Sequence, residues 1–187
     1  MFQMAHVSFS YPGCEALFKD ISLCFGKGEN TLLCGENGSG KSTILKLLTG
    51  YLRPQSGVIH CDNELVQKVT AKQGKKYMYL TQNAPSQILG INLQQDIRLW
   101  QIAGYQIGVQ TLHEHPLLEH LPIDIFDVPV KELSSGTVQA YLLALALLAT
   151  DRFLILDEPL LSLDMQRQEA FIHLLSKRKG MVIVCHQ

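Results

Sequence analysis

The stretch Gly35-Glu-Asn-Gly-Ser-Gly-Lys41-Ser42-Thr43 constrains this chain more than any other. The apolar run Thr31-Leu-Leu-Cys34 stands before it as an expected strand, and the residues after it carry helical spacing. A strand, then G-x-x-x-x-G-K-[ST], then a helix is the pattern of a phosphate loop. In such a turn successive backbone N–H groups and the positive end of the helix dipole converge on one small volume, which suits a polyphosphate. Gly35, Gly38 and Gly40 accept positive φ and put no Cβ between backbone and phosphate. Lys41 is expected to reach the β- and γ-phosphates, and Ser42 to offer its hydroxyl to Mg²⁺. Asn37, Ser39 and Thr43 complete the expected cradle.

At 187 residues the chain is long enough for one domain with a proper core, or for a core carrying an inserted subdomain. Its formal net charge of −1 gives no electrostatic footprint for nucleic acid or anionic lipid, so no direct nucleic-acid partner is expected. The densest basic stretch, Lys68 to Lys76 with Lys72 and Lys75 between, reads as a solvated hairpin turn. Five cysteines, Cys14, Cys24, Cys34, Cys61 and Cys185, form no C-x-x-C pair. Four of them lie in or beside apolar strand-like segments, where a free thiol acts as a small hydrophobe in a reducing compartment. No charged, apolar and cleavage regions of a signal peptide appear, and no run of ~20 apolar residues offers a membrane span. The expectation is a cytoplasmic chain without a transmembrane segment, with any membrane connection made through a partner.

Along the chain, Phe2 to Phe9 alternates imperfectly, Ser10-Tyr-Pro-Gly13 punctuates, and Ile21–Phe25 alternates again, as two strands joined by a turn. Ile44, Leu45, Leu47, Leu48 and Leu52 recur at helical spacing, and Arg53-Pro54 is expected to stop that helix. Val58–Cys61 and Tyr77–Leu80 read as short strands, with Gln82 just after the second. Helical patterns follow in Leu93–Ala103 and Thr111–Leu121. His113, His115 and His120 read as solvated surface residues rather than a metal site, since no second ligand cluster accompanies them. Ser134-Ser135-Gly136-Thr137 precedes the apolar stretch Ala140–Ala149, an expected buried helix whose N-terminus is a second place suited to an anion. Phe153–Leu156 and Met181–Cys185 read as buried parallel strands. The first ends in Asp157 and Glu158 and the second in His186, where open α/β sheets place ligands.

This ordered series resembles the ATP-binding cassette family over nearly the whole chain. The resemblance implies an α/β fold: a P-loop NTPase core with an antiparallel N-terminal β-subsheet and an inserted α-helical subdomain. Residues 1–81 and 140–187 would form the core with its β-subdomain, and 82–139 the helical subdomain with the signature turn. It also implies site roles. Tyr11 would stack on adenine, Gln82 would touch Mg²⁺ and the attacking water, Asp157 would hold Mg²⁺, and Glu158 would act as the general base. His186 would contact the γ-phosphate. Ser134, Gly136 and Asp164 would face a nucleotide or loop of a second protomer, so that a homo- or heterodimer sandwiches two ATP head to tail.

The stretch from Gln82 through Gln87 to Asp96 is similar to a segment of energy-coupling-factor and cobalt importer ATPases, with Asp96 in the acidic place. Two departures stand in the signature, Ser135 and Thr137, where the family reads glycine and glutamine. Ser135 is expected to restrict positive φ and crowd close backbone approach, and Thr137 to shorten the side chain's reach, so that this signature lowers turnover at whichever site it closes. Three functions remain open at this point. One is the ATP-hydrolysing subunit of an integral membrane transporter, peripheral on the cytoplasmic face. The others are a soluble cassette ATPase acting on nucleic acid or ribosomes, and a regulatory module with weak turnover.

Overall fold

The computed structural model describes residues 1–69, 76–148 and 152–185. His186 and most of the basic stretch, including Lys72 and Lys75, lie outside the described residues. The chain resolves into two compact units. The first comprises Met1–Tyr79, Arg152–Glu158 and Lys179–Gln187, the second Leu80–Asp151 and Pro159–Arg178.

Two sheets build the first unit. In one, β1 (Phe2–Phe9), β2 (Phe18–Phe25), β4 (Ser56–Cys61) and β5 (Glu64–Leu65) pair antiparallel in the order β2-β1-β4-β5. The imperfect alternation of β1 has a local cause. Its register against β2 shifts between Met4 and Val7, and His6 takes a φ of 51° there, so that Phe2, Met4, Val7 and Phe9 all face inward. The other sheet has the order β3-β8-β7-β6, from β3 (Asn30–Leu33), β8 (Met181–Val184), β7 (Phe153–Asp157) and β6 (Tyr77–Leu80). β8 runs parallel to both β3 and β7. Every residue of β7 and β8 is buried, as central parallel strands require. Phe2, Phe9, Phe25, Leu45, Leu48, Ile59, Phe153, Ile155 and Val182 form one core that both sheets and the first helix share.

That helix, α1 (Lys41–Leu48), ends a turn earlier than Pro54 suggests. Gly50 takes a φ of 74° and donates its N–H to Leu47 O, and Thr49 N–H reaches Leu45 O, so a left-handed glycine closes the helix before proline can. Leu52 lies beyond it. The short α2 (Val66–Val69) follows β5.

In the second unit, 3-10 turns at Ala84–Gln87, Ile123–Phe126 and Val130–Glu132 separate α3 (Leu93–Ile102), α4 (Val109–His113) and α5 (Ser135–Leu148); α6 (Met165–Ser176) comes later in the chain. Helix α4 is shorter than the expected Thr111–Leu121. The chain leaves it at Glu114 and turns, with Leu118 N–H bonded to His115 O at 2.7 Å, because Pro116 disfavours helical backbone at the residue before it. Here His115 is buried rather than solvated, its Nδ1 accepts the Leu117 N–H, and burial pushes its pKa down. Residues 137–146 of α5 are all buried. This helix groups with the second unit, on the far side of a boundary expected at 139/140, and Tyr141 OH donates to Asp96 at 2.8 Å within that unit.

The cysteines also depart from expectation. Only Cys61 is buried; Cys185 is half-buried and Cys14, Cys24 and Cys34 are exposed. Cys24 takes an outward position of β2, and Cys34 lies just past the end of β3, where the apolar lining has stopped.

Candidate functional site

The turn after β3 folds around the lysine that follows it. Lys41 is buried, and its Nζ donates to Gly35 O at 2.7 Å and Glu36 O at 2.8 Å, so the ammonium draws the loop into a ring before any anion arrives. Gly35, Gly38 and Gly40 all have positive φ. Gly40 is the N-cap of α1 with φ 96°, and a Cβ there would stand 2.6 Å from the Phe18 ring. No side chain caps that helix and its first turn carries no acidic residue, which leaves its N-terminal N–H groups for a ligand. Asn37 and Ser39 are exposed on the rim.

Beside this loop opens a cleft of about 320 Å³, lined by Tyr11, Leu17, Gly38, Gly40, Lys41, Ser42, Thr43 and Glu158. Tyr11 OH bonds Thr43 Oγ1 at 3.0 Å and its ring meets Phe9 edge-on at 5.0 Å, so an aromatic face is held at the mouth. Leu17 and Phe18 were not apparent from the sequence as parts of this site. They precede a strand as ordinary apolar residues, and only the pairing of β2 with β1 carries them under the loop.

A polar contact beside the loop joins residues far apart in sequence. Ser42 Oγ donates to Asp157 Oδ1 at 2.9 Å, and Tyr79 OH approaches Asp157 Oδ2 at 3.5 Å. Burial first, then the Asp157 charge and this hydrogen bond, push the Tyr79 pKa up, so the phenol stays protonated as a donor. A hydroxyl and a carboxylate side by side next to a phosphate loop are hard oxygen donors, which fits Mg²⁺. Glu158 follows in a left-handed conformation, φ 53°, with its N–H bonded to Val184 O at 2.9 Å. A non-glycine residue held there is strained by about 1–3 kcal/mol and persists only where its surroundings impose it. The result is a buried glutamate that lines the cleft.

The other expected residues belong to the second unit. Gln82 is exposed just past β6, in a turn where Gln87 Oε1 accepts the Thr81 N–H at 2.8 Å. Ser134 caps α5: its Oγ accepts the Thr137 N–H at 3.1 Å and bonds Thr137 Oγ1 at 2.9 Å. Ser135 is exposed in the first position of that helix with helical backbone, so the expected restriction of positive φ does not arise. Crowding falls instead on Gly136, where a Cβ would stand 2.6 Å from Ser162 O. Asp164 caps α6 through the Arg167 N–H and pairs with the Arg167 guanidinium, both at 2.9 Å.

Asp96, noted in the sequence only as an acidic position, is a buried clamp. It accepts from the backbone N–H of Leu89 and Gly90, from Trp100 Nε1 and from Tyr141 OH. The turn it holds presents Leu89, 81% exposed, and Ile91, 73% exposed.

Residues 18–161 match the family described as ABC transporter. The chain is 34% identical to "ATP-binding protein Uup-like" of Haemophilus influenzae over all of this chain and 39% of that protein. It is 31% identical to "Energy-coupling factor transporter ATP-binding protein EcfA1" of Thermotoga maritima over 97% of this chain and 71% of that one. The chain thus spans well under half of the first of these relatives. Among solved structures, the dimeric ATP-binding cassette MJ0796, bound to ADP and Pi in a post-hydrolysis state, superposes with a TM-score of 0.79. That similarity covers all of this chain and 88% of that one at 23% identity, and it shows the shared fold.

Proposed function

We propose, from the premise that this chain belongs to the ABC transporter family and carries its ATPase cassette, that it powers a membrane transporter by hydrolysing ATP. The observation that carries this is the 2.9 Å bond from Ser42 to Asp157 beside the Lys41-centred loop, with the buried Glu158 on the same cleft. Lys41 and the open N-terminus of α1 bind the β- and γ-phosphates, and Tyr11 offers its ring to the base. Ser42 and Asp157 would hold Mg²⁺, and Gln82 is carried over as a further ligand by the family resemblance alone. That ion, when bound, neutralises charge developing on the phosphoryl oxygens. Glu158 accepts a proton from the attacking water through its carboxylate oxygen. His186 completes the proposed set at the γ-phosphate. Most of the acceleration comes from positioning and fixed electrostatics, since phosphoryl transfer asks little covalent chemistry of the protein.

The active form is proposed as a head-to-tail homo- or heterodimer in which Ser134, Gly136 and Asp164 of one copy face the nucleotide or loop of the other. A dimeric neighbour with ADP and Pi supports it. The membrane partner is proposed to sit on the second unit, within the helical insertion 82–139. There the Asp96-held turn exposes Leu89 and Ile91, and Ile102 is 82% exposed. Localisation on the cytoplasmic face of the membrane follows from that partner; no helix among the described residues is long and apolar enough to cross a membrane itself.

A second reading, a soluble cassette ATPase that acts on nucleic acid or ribosomes, is compatible with the Uup-like relative, whose name gives ATP binding without a transporter. Expression of the tagged chain in its native cell, followed by membrane fractionation and co-purification, separates the two. The transporter reading expects one integral membrane protein to co-purify and to be lost on Leu89→Asp with Ile91→Asp, with ATP binding retained. Recovery in the soluble fraction alone, unchanged by those substitutions, supports the second.

A further inference from the structure

Two cysteines distant in sequence are brought side by side at the root of the phosphate loop. β3 and β8 are parallel neighbours with Leu33 opposite Val184, and the Cys185 N–H donates to Leu33 O at 3.3 Å, so the register runs on by one residue. Those next residues are Cys34 and Cys185. Paired strands lie about 4.8 Å apart, and side chains at matched positions leave the same face. The Cα separation of a disulfide is roughly 4.4–6.8 Å, so a small approach of the two strand ends brings these thiols to a bond. Both are free, Cys34 exposed and Cys185 half-buried. Burial first, then the neighbouring Cys34 and Glu158, push the Cys185 thiol up.

We infer that Cys34 and Cys185 are a peroxide-oxidisable thiol pair that closes to a disulfide across the ends of β3 and β8 and lowers nucleotide binding. The exposed Cys34 thiol gives up its proton as its sulfur attacks a peroxide oxygen; the S–O bond forms, the O–O bond breaks, and the departing hydroxide takes that proton and leaves as water. The Cys185 thiol then attacks the Cys34 sulfenic sulfur as it gives up its proton; the S–S bond forms, the S–O bond breaks, and the departing hydroxide takes that proton as a second water. Two thiols lose two electrons in total and one peroxide gains them. In a reducing compartment the bond is transient, as a sensor requires.

The effect on nucleotide, which rests on the phosphate-loop reading above, follows from geometry. A disulfide wants Cβ atoms roughly 3.8 Å apart, closer than strand spacing, so closure draws the two strand ends together. Gly35, whose carbonyl holds Lys41, follows Cys34 directly, and Val184 O, just before Cys185, holds the Glu158 N–H.

The test treats the full, reduced chain with stoichiometric hydrogen peroxide. Non-reducing peptide mapping should yield a linked peptide pair containing Cys34 and Cys185, with the intact mass lower by two hydrogens. Titration with a fluorescent ATP analogue should show a several-fold loss of affinity that dithiothreitol restores. In Cys185→Ser, Cys34 should stop as sulfenic acid trapped by dimedone, and no linked pair should form. Linkage of any other cysteines, or dimedone-reactive Cys34 persisting in the unmodified chain, overturns the pair. A linked pair with unchanged affinity overturns its effect on nucleotide. Failure of the reduced chain to bind the analogue refutes the phosphate-loop reading instead, while the mapping result stands on its own.

Discussion

The N-termini of α1 and α5 are both preceded by small residues and both suit an anion, yet they are finished in opposite ways. At α1 the cap is Gly40, left-handed, without a side chain to offer the first-turn N–H groups. Those donors stay open, and the nearby ammonium of Lys41 is spent on framing the loop. At α5 the cap is Ser134, whose hydroxyl already accepts the Thr137 N–H and shares a second bond with the Thr137 hydroxyl. One end leaves its first-turn donors to a ligand; the other satisfies one of its own donors through Ser134. An N-terminus left uncapped costs stability until something binds, whereas a self-capped one contributes stability throughout. The two positions usually called anion sites therefore differ in how much of their hydrogen bonding a nucleotide has to supply.

The strongest way to break this contrast is Lys41→Ala. Losing the buried cation removes both carbonyl contacts and the charge facing the phosphates, and ATP affinity should drop by about 10²-fold or more in a nucleotide titration. Unchanged affinity would mean the α1 end does not depend on its frame. Next in size is Glu158→Gln, which keeps the shape but replaces the proton-accepting carboxylate with an amide. Single-turnover hydrolysis should slow by about 10²–10⁴-fold with binding preserved, and size-exclusion chromatography with ATP should show the trapped dimer. Wild-type turnover in that variant takes Glu158 out of the mechanism.

Smaller changes sharpen the α5 side. Gly136→Ala places a Cβ against Ser162 O and should destabilise the chain by about 1–3 kcal/mol, seen as a lowered midpoint in thermal or urea unfolding. Ser134→Ala deletes the cap and should cost about 1 kcal/mol, a melting shift of a few degrees, without nucleotide present. The matching change at the other end, Gly40→Ser, should not stabilise α1, because φ 96° and the Phe18 ring exclude the geometry a serine cap needs. A gain in stability from Gly40→Ser would erase the difference between the two ends.

Much of the site was legible before any coordinates because its signals are local. A glycine-spaced loop between an apolar run and a helical pattern, and a fully apolar strand ending in Asp157-Glu158, depend on neighbours within a few residues. The continuous apolar runs of β7 and β8 likewise announced strands buried on both faces. Helix ends were less legible, since Gly50 and Pro54 both signal a stop and only the backbone shows which acts first.

What tertiary structure alone decided are the contacts between segments remote in sequence. The alignment of β2 with β1 puts Phe18 under Gly40, and the approach of α1 to β7 gives Ser42 its bond to Asp157. The register of β3 against β8 sets Cys34 beside Cys185, and the hydrogen bond from Tyr141 on α5 completes Asp96 on α3 as a four-donor clamp, a role its acidic place in the sequence did not reveal. Residue type and spacing carry short-range preferences of backbone and burial. They do not encode which strand edges meet or in what register, because that choice is made by the summed burial of the whole core rather than by any one segment.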